Sequence, residues 1–428
     1  MIIIRNTSPK LKKNYIFDKI NIMIGSGSMK KLLSIFIIFF ISITSVKALN
    51  LPVEITGESA IVYNLDSNQI IYEKNPDTVY TIASLTKIMN AYTAINNVKD
   101  LNKKVTITDK DVYNLWGYTI AGLEVGAVVT YKDLLYAMIL PSGADASQAL
   151  AYHISGSPEE YIKLMNKEAK KLGLRNANFM DTYGGHDDNK ATAREILRLT
   201  LESLKNKDFE QVFKTTQTRL TNGKEVVNYT RSIATYHGYD SELITGSKSG
   251  FTIAAGLNLV STTTINNTNY LIVVLKCNLN AYNTQHVIDT YNIIHHLQEQ
   301  KFETRTIIKK GTKIKSIPVE ESTISEYIVY AEDDIKVTLP IEEFSNIKIE
   351  TNITDKISNK IKTGDNLGYI DIKLNNEVLS TTNIYLKDNI YKIAKIPRNI
   401  IITILVLLLL IFIIFINNLF GKKKTKKK

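Results

Sequence analysis

Cysteine is almost absent from this chain. Cys277 is the only one in 428 residues, so no disulfide can form within the chain. It lies in "LIVVLKCNL", an apolar run that reads as a strand, and is expected to be a buried small hydrophobe rather than a nucleophile. No internal repeat divides the sequence. A charge imbalance is also missing where a folded domain would lie. Of the 53 basic residues, fourteen fall in residues 1–48 and the terminal lysine run, leaving 39 against 41 acidic residues over 49–421. The formal net charge of +11 therefore belongs to the ends. That removes the main argument for a nucleic-acid partner, which would need the basic excess on a domain.

The ends themselves are distinctive. "MKKLLSIFIIFFISITSVKALN" at 29–50 has a lysine-bearing start, an apolar run from Leu32 to Thr44 and small residues before Leu49. It reads as a secretory signal peptide over 29–48, cleaved after Ala48, with 1–28 an upstream extension and Met29 the initiator. Export without a cysteine pair suits a bacterial cell surface. At the other end, "IIITILVLLLLIFIIFINNLF" runs from Ile400 to Phe420 without a charge. At ~1.5 Å per residue it reaches about 31 Å, enough to cross a hydrocarbon core of ~30 Å. The tail at 421–428 carries six lysines, which places it on the cytoplasmic side of a membrane anchor.

Between the ends two textures alternate. From 49 to 298, β and helical patterns mix. "SAIVYNLDSNQIIYEKN" reads as a hairpin, and Leu85–Asn97 as a helix with Ile88, Met89, Tyr92 and Ile95 on its apolar face. "YKDLLYAMIL" and "ADASQALAYHI" read as helices broken by "PSG". "SPEEYIKLMNKEAKKLGL" should be a helix capped by Ser157 and ended at Gly173, with another in "TAREILRLTLESLK". Two strands flank an Asn-rich turn in "GLNLVSTTTINNTNYLIVVLKC", and a last helix follows in "NTQHVIDTYNIIHHLQEQ". Strands at both ends of a helical run predict an α+β sandwich whose first and last strands share one sheet. From 299 to 392 the pattern is β only and holds no constellation of catalytic residues.

"ASLTKIMN" at 83–90 sets Ser84 and Lys87 three apart, within reach of each other on one helix face. A serine capping a helix beside a solvated lysine satisfies the same four residues. A nucleophile beside its base satisfies them too, since a desolvated lysine can take a serine proton. Further along stand "SGA" at 142–144 and "KSG" at 248–250. The order Ser-x-x-Lys, Ser-x-Asn, Lys-Thr-Gly is the signature of penicillin-binding proteins and active-serine β-lactamases. With their flanks "LLYAMILPSGADAS", "GLRNANF", "TAREILRL" and "KSGFTIAAGLNLV", residues 50–390 resemble the low-molecular-weight serine-type D-Ala-D-Ala carboxypeptidases. The tail of the β region, "GDNLGYIDIKLNNEVLSTTNIYL", resembles that family's C-terminal domain.

The resemblance implies a penicillin-binding-protein/β-lactamase-like fold and an acyl-enzyme on Ser84, with Lys87 as base. Ser142 would relay a proton from Lys87 to the leaving amine. Lys248 and Ser249 would hold the substrate carboxylate, and Lys248 would lend the charge that keeps Lys87 neutral. Gly250 would let the substrate backbone approach, and the N–H groups of Ser84 and Phe251 would hold the oxyanion. The partners implied are a peptidoglycan stem peptide ending in D-Ala-D-Ala and β-lactams as covalent inhibitors, with no cofactor and no metal. His186, Asp187 and Asp188 in "GGHDDNKATARE" then belong to a loop bordering the site rather than to a metal site.

Three departures stand out. Ala144 replaces the asparagine of the second motif, whose amide would bond the lysine; losing such a bond costs ~1–3 kcal/mol and predicts slower catalysis rather than none. Ser249 replaces threonine and keeps the hydroxyl. Ile82 replaces the proline before the nucleophile. Ala144 also leaves open a penicillin-binding or peptidoglycan-binding pseudoenzyme. A β-lactamase would need a glutamate-activated water, and no glutamate loop of that pattern occurs between Gly156 and Asp188.

Overall fold

A computed structural model describes residues 53–358, 360–391 and 397–421, with side chains of the last helix to Ile416. The expected extension at 1–28, signal at 29–48 and lysine run at 422–428 lie outside the described residues.

Strands β1 (Ser59–Asn64) and β2 (Gln69–Lys74) form the expected hairpin. Helix α1 (Thr86–Asn97) follows, then α2 (Tyr131–Ile139), α3 (Ala144–Ser155), α4 (Pro158–Lys171), α5 (Ala193–Leu204) and α6 (Lys207–Lys214). Strands β3 (Ile244–Thr252), β4 (Gly256–Ile265) and β5 (Thr268–Cys277) and helix α7 (Gln285–Glu299) complete the region. The five strands make one antiparallel sheet in the order β2-β1-β5-β4-β3. First and last strands share it, as expected, because β1 pairs with β5 from Ser59↔Leu275 to Asn64↔Tyr270.

Period-two alternation divides the sheet between two cores. Ile61, Leu271, Val273 and Leu275 pack with α1–α6 on one face. Ala60, Val62, Ile272 and Val274 pack with Val287, Tyr291 and Ile294 of α7 on the other. The helix ends are set locally. Ser157 accepts from the Glu160 N–H at the start of α4 (3.3 Å), and Thr192 and Glu195 form a reciprocal capping box on α5. Gly173, at φ +72°, lies just beyond the end of α4.

Two local readings need correction. The helix expected from Leu85 begins at Thr86, and Ala83–Leu85 form a 3₁₀ turn, so Ser84 sits one turn ahead of the α-helix. The difference is one of boundary, since Leu85 already has helical dihedrals (φ −64°, ψ −20°) and serves as the N-cap. Helix α6 was not expected. It has only eight residues, but Phe209, Val212 and Phe213 bury one face of it.

Strands β6 (Phe302–Ile308), β7 (Lys313–Glu320), β8 (Glu326–Tyr330), β9 (Ile335–Pro340), β10 (Ile347–Ile353), β11 (Asn366–Leu374) and β12 (Glu377–Tyr385) make the all-β region. Its core gathers Ile317, Val337, Leu339, Ile370 and Ile372. Thr338 ties it to the first hairpin: its N–H donates to the Gln69 side chain at 3.0 Å, and its hydroxyl lies 2.9 Å from Ser67 Oγ. Last comes helix α8 (Arg398–Gly421), on which every described apolar side chain from Ile400 to Ile416 is exposed.

Candidate active site

Lys87 is a lysine in the wrong solvent. It is 2% exposed on the first turn of α1 and makes no ion pair among the described residues. Its Nζ donates to Ser84 Oγ at 3.0 Å and to the Tyr183 carbonyl at 2.5 Å. Burial disfavours the charged form and pulls the lysine down to about 7, against the opposing pull of Asp181 and Asp145. The surface-cap reading of "SLTK" therefore fails: this amine is dry, and its nearest hydroxyl is the Ser84 side chain. The expected reason for its neutrality needs correction too. Desolvation is the leading cause at Lys87, and the charge of Lys248 is not among the causes.

Lys248, on edge strand β3, is 1% exposed. Its Nζ donates to Ser142 Oγ at 2.9 Å and to its neighbour's carbonyl, Ser249 O, at 2.6 Å. Burial, and next the charge of Lys87, drive it well below the ordinary lysine value. Two dry amines thus face one another, and the charge of Lys87 makes it harder for Lys248 to hold a proton.

Ser142 has φ +67°, in the left-handed region that non-glycine residues rarely adopt. Its hydroxyl accepts from Lys248, and among the described residues no direct hydrogen bond joins it to Lys87. Ala144 is buried as the first residue of α3, and its N–H donates to Thr119 O at 2.8 Å. In place of the missing asparagine amide, Lys87 has a backbone partner in Tyr183 O.

At Gly250 a Cβ would lie 2.9 Å from Ile82 O and 3.0 Å from the backbone nitrogens of Ser84 and Leu85. Its missing side chain makes room for the Ser84 turn. Phe251, the next residue on the strand, is exposed. Ser249 is half-buried on the same strand.

Several supporting residues carry no motif. Asp145 accepts from the N–H groups of Ala121, Gly122, Leu123 and Ala146 at 2.8–2.9 Å, fixing one wall. Asn90 is buried and donates to Thr182 O at 2.9 Å and Ser147 O at 3.3 Å, joining α1 to the opposite loop and to α3. The Ile82 N–H donates to Asn189 O at 3.0 Å, a bond that a proline there could not make. The "GGHDD" residues do border the site. Gly184 packs on Ala83 and Ser84, while His186 Nδ1 accepts from the Asp188 N–H at 3.0 Å and Asp188 pairs with Lys190. A helical i, i+3 pair was enough to find Lys87. Nothing in the sequence marks a backbone carbonyl such as that of Tyr183.

A family profile described as D-alanyl-D-alanine carboxypeptidase matches residues 44–278, more than half of the chain. The chain belongs to this carboxypeptidase family. A second profile, the C-terminal domain of penicillin-binding protein 5, matches residues 302–392. Among its relatives, D-alanyl-D-alanine carboxypeptidase DacF of Bacillus subtilis is 28% identical over 350 residues, 78% of this chain and 86% of that one. D-alanyl-D-alanine carboxypeptidase DacC of Escherichia coli is 29% identical, over 77% of this chain and 83% of its own length. Penicillin-binding protein 5 from Haemophilus influenzae shares the fold with a TM-score of 0.70 at 22% identity, covering 80% of this chain and 99% of that structure. This carboxypeptidase therefore has the penicillin-binding-protein fold expected from its motifs, and it is a serine hydrolase by family.

Proposed function

We infer that this D-Ala-D-Ala carboxypeptidase removes the terminal D-alanine of peptidoglycan stem peptides through an ester on Ser84. The observation that carries the assignment of residues is the dry Lys87 amine 3.0 Å from Ser84 Oγ. Neutral Lys87 takes the Ser84 proton as Oγ attacks the carbonyl of the penultimate D-alanine. The N–H groups of Ser84 and Phe251 would hold the oxyanion, a reading supported by the close approach of Gly250, the residue before Phe251, to the Ser84 nitrogen. The peptide C–N bond then breaks. The leaving amine takes a proton from the Ser142 hydroxyl, and Lys248 resupplies it. Water then attacks the ester, its proton passing through Ser142 to the now neutral Lys248, while Lys87 returns its proton to Ser84 Oγ as the acid leaves, so both lysines and Ser84 are restored.

Substrate changes the balance between the two lysines. A terminal carboxylate brought to Lys248 and Ser249 favours the charged form of Lys248. That cation in turn holds Lys87 neutral, so the expected charge effect belongs to the substrate complex rather than to the free enzyme. Selectivity for a chain end follows, because only a C-terminus brings the carboxylate.

Full-length protein incubated with a labelled penicillin is expected to gain one adduct by intact mass, mapped to the peptide containing Ser84 and lost in Ser84→Ala. An adduct on another residue, or none on folded protein, would overturn the assignment and favour a binding pseudoenzyme.

Helix α8 is long enough, at ~1.5 Å per residue over its 24 residues, to cross a bilayer. Its apolar surface is exposed and finds no cover among the described residues. As an anchor it leaves the catalytic and β regions outside the cell and the lysine tail within. Protease added to intact protoplasts is expected to remove the domains and spare the tail. Protected domains would reverse this topology.

A further inference from the structure

Asp181, like Asp145, is a carboxylate near Lys87 that accepts from four backbone N–H groups, and no motif contains it. Oδ1 accepts from the N–H groups of Tyr183 at 2.9 Å and Gly184 at 2.5 Å. Oδ2 accepts from Gly185 at 2.8 Å and His186 at 2.6 Å. Four consecutive amides thus converge on one side chain, and the peptide unit between Tyr183 and Gly184 is held through its N–H. The carbonyl of that same unit points the other way and receives Lys87. Gly184, at φ +91°, lays the unit directly against Ala83 and Ser84. Loop, base and nucleophile are therefore one rigid assembly, closed at one end by Asp181.

We propose that Asp181 is a positioning residue for acylation: its amide-wrapped carboxylate aims the Tyr183 carbonyl at Lys87, where Ala144 offers no side-chain amide, and its charge opposes release of the Lys87 proton. The inference rests on Ser84 being acylated with Lys87 as base. Every charged neighbour of Lys87 enters the balance. Asp181 from this loop and Asp145 from α3 favour the ammonium, and of the two Asp181 acts more strongly. Lys248 faces it from β3, and the charge of Lys87 opposes protonation of Lys248. The Tyr183 ring, tilted at 57° with its centroid 4.8 Å from that of Tyr118, is itself pushed up to about 12 and stays neutral. Removing the Asp181 charge leaves burial less opposed, so Lys87 loses its proton at a lower pH.

The test is the rate of acylation of the full chain by labelled penicillin between pH 5 and 9, for wild type, Asp181→Asn and Asp181→Glu. Asn keeps the shape, loses the charge and turns an NH2 toward two of the four amides. Its acid limb is expected to move down by about one pH unit, consistent with one nearby charge. Its plateau should fall about tenfold as the Tyr183 carbonyl loses its aim. Glu keeps the charge but displaces it by one methylene, so its plateau should fall while its acid limb stays with wild type. An Asp181→Asn limb that coincides with wild type, whatever the plateau, overturns the proposal in favour of a merely structural loop. If Asp181→Asn does not fold, the Glu variant decides: a limb displaced like a neutral substitution, or an unchanged plateau, overturns it. Wild type that is never acylated would instead defeat the underlying reading of Ser84 and Lys87.

Discussion

Lys87→Met is expected to cost about 10³-fold in the rate of penicillin acylation while making the protein more resistant to unfolding at neutral and acid pH. The first effect follows from losing the base: general-base catalysis contributes ~10²–10⁴-fold, and no other amine lies against Ser84 Oγ. The second follows from linkage. In the folded protein Lys87 sits at about 7, well below the ordinary lysine value of 10.5. Between those two values the unfolded chain binds a proton that the folded protein does not, so the wild type gains stability as pH rises through this window. Below about pH 7 the full cost of the buried amine is present. Methionine fills a similar volume and has nothing to ionise. The variant should therefore melt above wild type at pH 6, and the gap should narrow toward pH 10. Thermal melts at several pH values and acylation kinetics check both halves. A variant less stable than wild type at pH 6 would show that the hydrogen bonds to Ser84 and Tyr183 outweigh desolvation, and retained acylation would assign the base elsewhere.

Gly184→Ala is the other large effect. A Cβ at this position would lie 2.1 Å from Ala83 O, 2.3 Å from Ala83 C and 2.7 Å from Ser84 N, all backbone atoms of the nucleophile's turn. The position also has φ +91°, which an alanine adopts only under strain. Strain and overpacking each cost ~1–3 kcal/mol, so a loss of about 3 kcal/mol is expected, roughly 6–12 °C in Tm at this size. Because the methyl must push the Tyr183 carbonyl away from Lys87, acylation should fall at least about 100-fold at temperatures where the variant is still folded. Gly117→Ala supplies the comparison. Its φ is +82°, but nothing lies within 4 Å of its Cβ, so only the strain should remain and acylation should be unchanged. Equal losses at the two positions would show that backbone conformation, not contact with the nucleophile's turn, sets the cost.

How far the sequence could be read depends on what kind of atom does the work. Residues with a fixed local relation were legible: Ser84 with Lys87, and Ser157 as the cap of its helix. The sheet was legible because alternating apolar runs stood at both ends of a helical stretch. What escaped was carried by the backbone or by contacts distant in the chain. Tyr183 serves through its carbonyl, which every residue possesses. Gly250 is small because Ile82 and Ser84 lie against it, 166 or more positions earlier. Ser142 meets Lys248 rather than Lys87 because its own φ of +67° turns it that way. The acidic cluster at 187–188 drew attention, yet Asp181, isolated in sequence, is the carboxylate that four amides enclose.

The sheet order has a consequence for how the protein comes into being. Strand β1 lies between β2 and β5, and its partner residues on β5 are 206 to 216 positions later. A chain made from its N-terminus can close the β1–β2 hairpin early, but such a hairpin alone is only marginally stable. Its long free edge waits until residue 277 is available, and the entropy of closing that large loop must be met before β5 docks. Lys248 reaches Ser142 from a strand made in this same late interval, so the polypeptide is complete as a catalyst only when nearly all of its first 280 residues have been delivered. The β region and α8 come afterwards. By the time the apolar helix is made, Ser84, Lys87 and the strand carrying Lys248 are already free to assemble.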